Sequence, residues 1–178
     1  YLLGNGYAPT VIVRDADGLR DAERIILPGV GAAAPAMALL RERGLVEPLR
    51  TTRLPLLGIC LGMQLLFEGS DEGDVACLGL LPGRVRKLAS SSGVRVPHMG
   101  WNTLEPMTAS PLLDGVDAGA SAYFVHSYAA PVTDDCIAAC THGDRFAAMV
   151  RRGNVAGAQF HPERSASVGA RLLSNFLH

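Results

Sequence analysis

The stretch Leu56-Leu57-Gly58-Ile59-Cys60-Leu61-Gly62-Met63-Gln64-Leu65-Leu66-Phe67 decides how the chain is read. An apolar run of strand formers reaches Gly58, passes one residue to a cysteine, meets Gly62 and continues as helix-compatible Met-Gln-Leu-Leu-Phe. This is the G-x-C-x-G counterpart of a nucleophile elbow, a sharp strand-to-helix turn that holds a reactive side chain at the top of a sheet. The glycines suit a turn whose backbone angles a Cβ disfavours and a strand–helix approach too close for one. The following helix is expected to aim unpaired N–H groups at the sulfur and favour thiolate over thiol. A lone free cysteine is ordinarily a buried small hydrophobe. The flanking glycines at a strand–helix junction shift the weight toward chemistry.

Outward from the elbow, short strands alternate with helical segments. Val11-Ile12-Val13 reads as a buried strand, Asp15 to Ala22 as a loop or short helix, and Arg24 to Leu27 as a strand ended by Pro28-Gly29-Val30-Gly31. Ala32 to Arg50 has helical spacing, with Gly44 a candidate break. Leu54 to Ile59 is the strand of the elbow. This alternation predicts a three-layer α/β fold with a mostly parallel central sheet. After Gly69 the pattern changes: Ser70 to Ala76 is an acidic, polar loop, followed by strand-like pieces at Arg84 to Leu88, Val94 to His98, Ala122 to Ala129 and Ile137 to Thr141. Phe146 to Val150 and Val155 to Phe160 flank Arg151-Arg152-Gly153-Asn154, a hairpin turn signal. Ser165 to Leu177 reads as an amphipathic helix with Val168, Leu172, Leu173 and Phe176 on one face.

The 178 residues suffice for one well-packed domain, read here as 1–178. A net charge of -1, from 16 Lys+Arg against 17 Asp+Glu, speaks against a nucleic-acid binder. No apolar run reaches membrane-spanning length. Four cysteines, Cys60, Cys77, Cys136 and Cys140, do not form a disulfide framework and point to a cytoplasmic setting. Tyr1-Leu2-Leu3-Gly4-Asn5-Gly6 reads like the end of a helix, so the chain is expected to begin part-way through its fold.

A thiolate nucleophile needs a base, and the base an orienting group. Phe160-His161-Pro162-Glu163 follows an apolar strand, and an extended segment there puts His161 and Glu163 on one side, two residues apart. Such a carboxylate accepts the imidazole N–H and fixes its tautomer. The Pro28–Gly31 turn ends a strand at the rim where ligands collect in parallel sheets. Its N–H groups and that of Leu61 suit an oxyanion hole; an ordinary turn and a phosphate loop are the competing readings, the last weakened by the lack of a phosphate-loop pattern. Cys136-x3-Cys140 with His142 lacks the paired spacing of a zinc site and reads as core. Pro97-His98-Met99-Gly100-Trp101-Asn102 and Tyr123-Phe124-Val125-His126-Ser127-Tyr128 suit either core or a contact surface, with composition favouring core.

Gly58-Ile59-Cys60-Leu61-Gly62-Met63-Gln64 together with Phe160-His161-Pro162-Glu163 resembles the signature pair of class I (triad) glutamine amidotransferases. The Pro28–Gly31 turn and the Pro97–Asn102 and Tyr123–Tyr128 segments narrow the resemblance to glutaminase subunits of imidazole glycerol phosphate synthase. The resemblance implies that Cys60 attacks the glutamine side-chain amide, with His161 as base and then acid and Glu163 orienting it. It implies an oxyanion hole from Leu61 and a flipping Val30–Gly31 peptide, and a glutamine pocket lined by Gln64, Glu72, Ser127 and Tyr128. No cofactor is implied. The implied partner is a (β/α)8-barrel cyclase, receiving ammonia and faced by Arg95, Met99, Trp101, Asn102, Tyr123 and Arg164. Arg164 stands where lysine is usual, which preserves an ion pair with altered geometry. Family members begin with a further strand and helix before the position corresponding to Tyr1. Glutaminases of anthranilate or aminodeoxychorismate type, an inactive scaffold homologue and a cysteine peptidase on the same fold are the alternatives. The Pro97–Asn102 segment, the intact Cys60, His161 and Glu163, and the glutamine-pocket residues respectively argue against them.

Overall fold

The computed structural model of the protein describes residues 9–90 and 93–178. In chain order the elements are β1 (Ile25–Gly29), α1 (Ala33–Glu42), α2 (Val46–Thr51), β2 (Leu56–Cys60), α3 (Leu61–Gln64), β3 (Phe67–Ser70), β4 (Val75–Ala76), β5 (Leu81–Lys87), β6 (His98–Thr103), β7 (Glu105–Pro106), β8 (Ser121–His126), β9 (Tyr128–Ala129), β10 (Cys136–His142), β11 (Asp144–Arg152), β12 (Val155–Ala158) and α4 (Ala166–Leu177). Short 3-10 turns cover Asp17–Leu19, Pro111–Leu113 and Pro162–Arg164.

The central six-stranded sheet has the order β1-β2-β12-β11-β10-β7. It is parallel across β1, β2 and β12, the half that carries the elbow, and antiparallel from β12 to β7. Strand β2 is buried along its whole length, because both faces of the sheet are covered. Its residues alternate: Leu56 joins a core with Met37 and Leu40 of α1 and Leu49 of α2, while Leu57 and Ile59 join one with Leu172, Leu173 and Phe176 of α4. Those two cores make the outer layers, as the three-layer reading requires. A second sheet, β4-β3-β5-β9, and a two-stranded ribbon, β6-β8, flank the central one.

Several elements fall as read. Gly44 separates α1 from α2 at φ +65, and β11 turns into β12 at Arg152↔Val155. Val168, Leu172, Leu173 and Phe176 are the buried stripe of α4. Others differ. Val11 and Ile12 are 82% and 84% exposed and form no strand. A short apolar run becomes a strand only against a partner, and no described strand pairs with β1 on its outer edge. Strand β6 starts at His98, where the sequence suggested a strand from Val94 to His98. The polar segment 70–76 ends in β4, which pairs with β3. Helix α3 has 4 residues, and the helix-compatible Leu65-Leu66-Phe67 does not continue it. The carbonyls of Leu65, Leu66 and Phe67 accept instead from the N–H groups of Leu78, Leu80 and Gly79, so a nonlocal ladder displaces the helix. The helix end read at Tyr1–Gly6 lies outside the described residues.

Candidate active site

Cys60 closes β2 at φ 52 and ψ −112, a conformation that side chains rarely adopt. The strain expected at the elbow thus sits on the cysteine itself. The glycines supply clearance: a Cβ on Gly62 would lie 1.8 Å from the Leu27 carbonyl oxygen, and one on Gly58 2.6 Å from the Gly62 oxygen. Only bare backbones let α3 sit this close over β1 and β2, and that closeness sets the position of the sulfur.

His161 follows β12 by three residues, and Pro162–Arg164 form a 3-10 turn where an extended segment was expected. The turn still brings the two side chains together, with His161 Nδ1 3.0 Å from Glu163 Oε1. A carboxylate only accepts, so Nδ1 carries the proton and Nε2 keeps its lone pair. The backbone here is clamped to β8. The His161 N–H donates to the Tyr123 carbonyl at 2.9 Å, the Tyr123 N–H donates to Ser165 Oγ at 2.9 Å, and Ser165 Oγ donates to the His161 carbonyl at 2.7 Å.

One cavity of about 330 Å³ collects these groups. Cys60, Leu61, His161 and Glu163 line it with Val30 and Gly31 of the turn after β1, and Gln64, Glu72, Arg164 and the segment from Val125 to Tyr128, His126 included, complete the wall. Gly31 takes φ +91 with open space where a Cβ would be, so its backbone adopts a conformation that other residues resist. Glu72 Oε2 accepts from the Ala33 N–H at 3.0 Å, capping α1 and tying the pocket wall to the segment after Gly31. The Gln64 amide donates to the Tyr128 carbonyl at 2.7 Å and to Gln159 Oε1 at 2.9 Å.

The sulfur's protonation state corrects one expectation. Burial pushes the Cys60 thiol up to about 11; the Leu61 N–H pulls it down, Glu163 raises it, the Gln159 amide lowers it and Glu72 raises it. Desolvation therefore outweighs the N–H groups of a four-residue helix, and the resting site holds a thiol that needs a base. Gln159 was missed from sequence. It is fully buried and its amide approaches Cys60 Sγ at 3.7 Å; the signal was a lone amide inside the apolar run just before Phe160-His161.

Cys136 and Cys140 are buried in the two different cores, as core residues. The two ambiguous aromatic segments pair as β6 and β8 and split by alternation. His98, Phe124 and His126 point inward, while Met99 (64% exposed) and Trp101 (56%) face out with half-buried Tyr123. Composition favoured core, and only one face is core. Trp101 meets Tyr123 edge-on at 5.9 Å, and the Arg164 guanidinium lies 4.2 Å over the Tyr123 ring. Arg95 is exposed and Asn102 half-buried at the same ribbon.

Residues 7–178 match the family model "Glutamine amidotransferase class-I". The chain belongs to the class I glutamine amidotransferase family. It is 66% identical over 166 residues to the imidazole glycerol phosphate synthase subunit HisH of Xanthomonas euvesicatoria pv. vesicatoria, covering 93% of this chain and 83% of that protein. The HisH subunit of Xylella fastidiosa is 64% identical with the same coverage. Among solved structures, one described as a glutamine amidotransferase superposes with a TM-score of 0.75 at 24% identity, covering 99% of this chain and 88% of the other. A glutamine amidotransferase from Thermotoga maritima gives 0.61 at 19% identity, over 89% of this chain and 64% of its own. At such identities these two amidotransferase structures speak to the fold alone. Among the described residues no helix is long and apolar enough to cross a membrane.

Proposed function

We propose that this chain acts, as one domain over 1–178, as the glutaminase subunit of an imidazole glycerol phosphate synthase. The supporting observation is that Cys60, on its elbow, shares one cavity with a hydrogen-bonded His161–Glu163 pair. Because the thiol sits near 11 at rest, attack on the glutamine amide carbon is coupled to proton transfer from Sγ to His161 Nε2. Glu163 holds the tautomer and stabilises the imidazolium. The resulting oxyanion is met by the Leu61 N–H and by the turn at Val30 and Gly31, whose peptide must present an N–H to the cavity. As the tetrahedral intermediate collapses, its amide nitrogen takes the proton from His161 and departs as ammonia, leaving a γ-glutamyl thioester. Water, deprotonated by His161, then releases glutamate and restores the thiol.

In this reading Gln64, Glu72, Ser127 and Tyr128 hold the substrate. The outward face of the ribbon, with Met99, Trp101 and Tyr123, with Arg164 stacked on it, and with Arg95 and Asn102 at its margin, docks a (β/α)8-barrel cyclase that consumes the ammonia in histidine biosynthesis. A glutamine-dependent biosynthetic step of this kind belongs in the cytoplasm.

Glutamate release from glutamine, measured for this chain alone and then with a barrel cyclase and its nucleotide ligand, tests the reading. Low activity alone with a large rise on adding the liganded partner is expected. High activity alone would keep the triad and discard partner gating of the Val30–Gly31 turn; no activity in either case would overturn the proposal.

A further inference from the structure

On the inner face of the ribbon, two buried histidines and a half-buried asparagine form a line of polar groups that takes no part in the proton transfers at Cys60. His126 Nδ1 is 2.8 Å from the Tyr128 carbonyl, His98 Nδ1 is 3.0 Å from His126 Nε2, and Asn102 Nδ2 is 3.2 Å from His98 Nε2. Asn102 Nδ2 also reaches the Thr141 carbonyl at 3.0 Å, and its Oδ1 accepts from the Thr103 N–H at 2.8 Å. These contacts admit one assignment of protons. A carbonyl only accepts, so His126 carries its hydrogen on Nδ1. A neutral imidazole then offers a lone pair at Nε2, which His98 meets with Nδ1–H. His98 Nε2 in turn accepts from the Asn102 amide. Every bond points the same way, from the ribbon inward. Packing fixes the rings: His98 stacks on Phe124 at 4.9 Å and on His142 at 4.0 Å, and His126 packs edge-on against Phe146 at 4.9 Å.

The Tyr128 carbonyl is the node where this line meets the cavity. It also accepts from Gln64, which bonds Gln159, whose amide approaches the Cys60 sulfur. We infer that His98 and His126 are positioning residues for the glutamine pocket, joining Asn102 of the ribbon to the Tyr128 carbonyl and, through Gln64 and Gln159, to Cys60. The inference rests on the glutaminase reading for what the pocket holds. His126 also lines the cavity, but both its ring nitrogens are engaged, by His98 and the Tyr128 carbonyl, and neither histidine is given a proton transfer in the reaction. Their work is to hold one carbonyl in place by a chain that runs in one direction, so a displaced Asn102 is felt at Tyr128.

Two measurements test this. In protein labelled with 15N at the imidazoles, shifts at neutral pH report which nitrogen is protonated; His98 and His126 are both expected as the Nδ1–H tautomer. In parallel, His98→Phe and His126→Phe keep the ring packing and remove the hydrogen bonds. Either is expected to raise the KM for glutamine about five- to tenfold, the effect of losing one buried hydrogen bond, with kcat changed less than about twofold. An Nε2–H tautomer at either ring, unchanged KM in both variants, or losses of kcat that track a lowered melting temperature would overturn the inference. If the wild-type protein releases no glutamate with its partner, the functional reading fails, and the nitrogen shifts still decide whether the chain of bonds exists.

Discussion

Two histidine pairs sit within the same half of this molecule and behave as opposites. At the cavity, His161 has a carboxylate partner, Glu163, whose side chain is 52% exposed, so an imidazolium formed there has both a counter-charge and water nearby. Behind the ribbon, His98 and His126 have only each other, an amide and a carbonyl. Desolvation drives His98 down to about 3, with His126 and His142 adding to the shift. Desolvation likewise takes His126 to about 4, against the pull of its bond to the Tyr128 carbonyl. One pair offers a counter-charge to an added proton and the other offers none. The difference lies in the partner and not in the residue type.

The largest effect should come from removing the proton acceptor. His161→Ala is expected to lower kcat for glutamate release by about 10⁴-fold or more, since the other imidazole on the cavity, His126, has both ring nitrogens engaged and the thiol is pushed to about 11. Glu163→Gln should cost less, about 10²-fold in kcat with KM little changed, because an exposed orienting group is partly replaced by water. Steady-state kinetics check both. Equal losses in the two variants would mean that the carboxylate does more than orient.

Acid should find the other pair first. A group whose folded pKa is depressed contributes stability that is complete above its unfolded value, near 6.5, and is lost as pH falls toward the folded value. For His98 and His126 that window runs from about 6.5 down to about 4 and about 3. His126 is faced by His98 from β6, by His142 from β10 and by His161 beyond β12, so each added charge opposes the next. Melting temperature is expected to fall across this window in the wild-type protein and to fall less steeply in His126→Phe. Parallel curves would erase the contrast between the pairs. The smallest effect on chemistry is expected from Trp101→Ala: basal glutamate release within about twofold, with affinity for the cyclase weakened about tenfold. Equal loss in both would argue against a docking role for the ribbon face.

What the sequence showed depended on how local the cause was. The elbow was legible because Gly58, Cys60 and Gly62 create their own geometry within five positions, and the His161–Glu163 bond because only Pro162 separates the two residues. Strand β12 and helix α4 followed from periodicity. Val11-Ile12-Val13 failed because a strand is a relation to a neighbour. Helix α3 stopped early because carbonyls at Leu65 to Phe67 answer to a segment a dozen residues onward. Glu72 capping α1, Gln159 beside Cys60, and His98 against His126 all join distant parts of the chain, and no local pattern announces them. The resemblance named the pocket residues, but it carried no warning that Cys60 rests as a thiol. That follows from burial, which only the packed structure supplies.

The cysteines offer an experimental handle of a different kind. Burial raises all four thiols, Cys60 and Cys136 to about 11, Cys140 to about 12, and Cys77 in the same direction, so none is a ready nucleophile toward a labelling reagent at neutral pH. Of the four, Cys60 alone lines the active-site cavity. Alkylation of the folded protein therefore separates into two clocks. Cys60 is paced by reagent entry and by His161, while the other three are paced by how often the core opens. Followed by mass, a single labelling time course reads the readiness of the site and the breathing of the fold side by side.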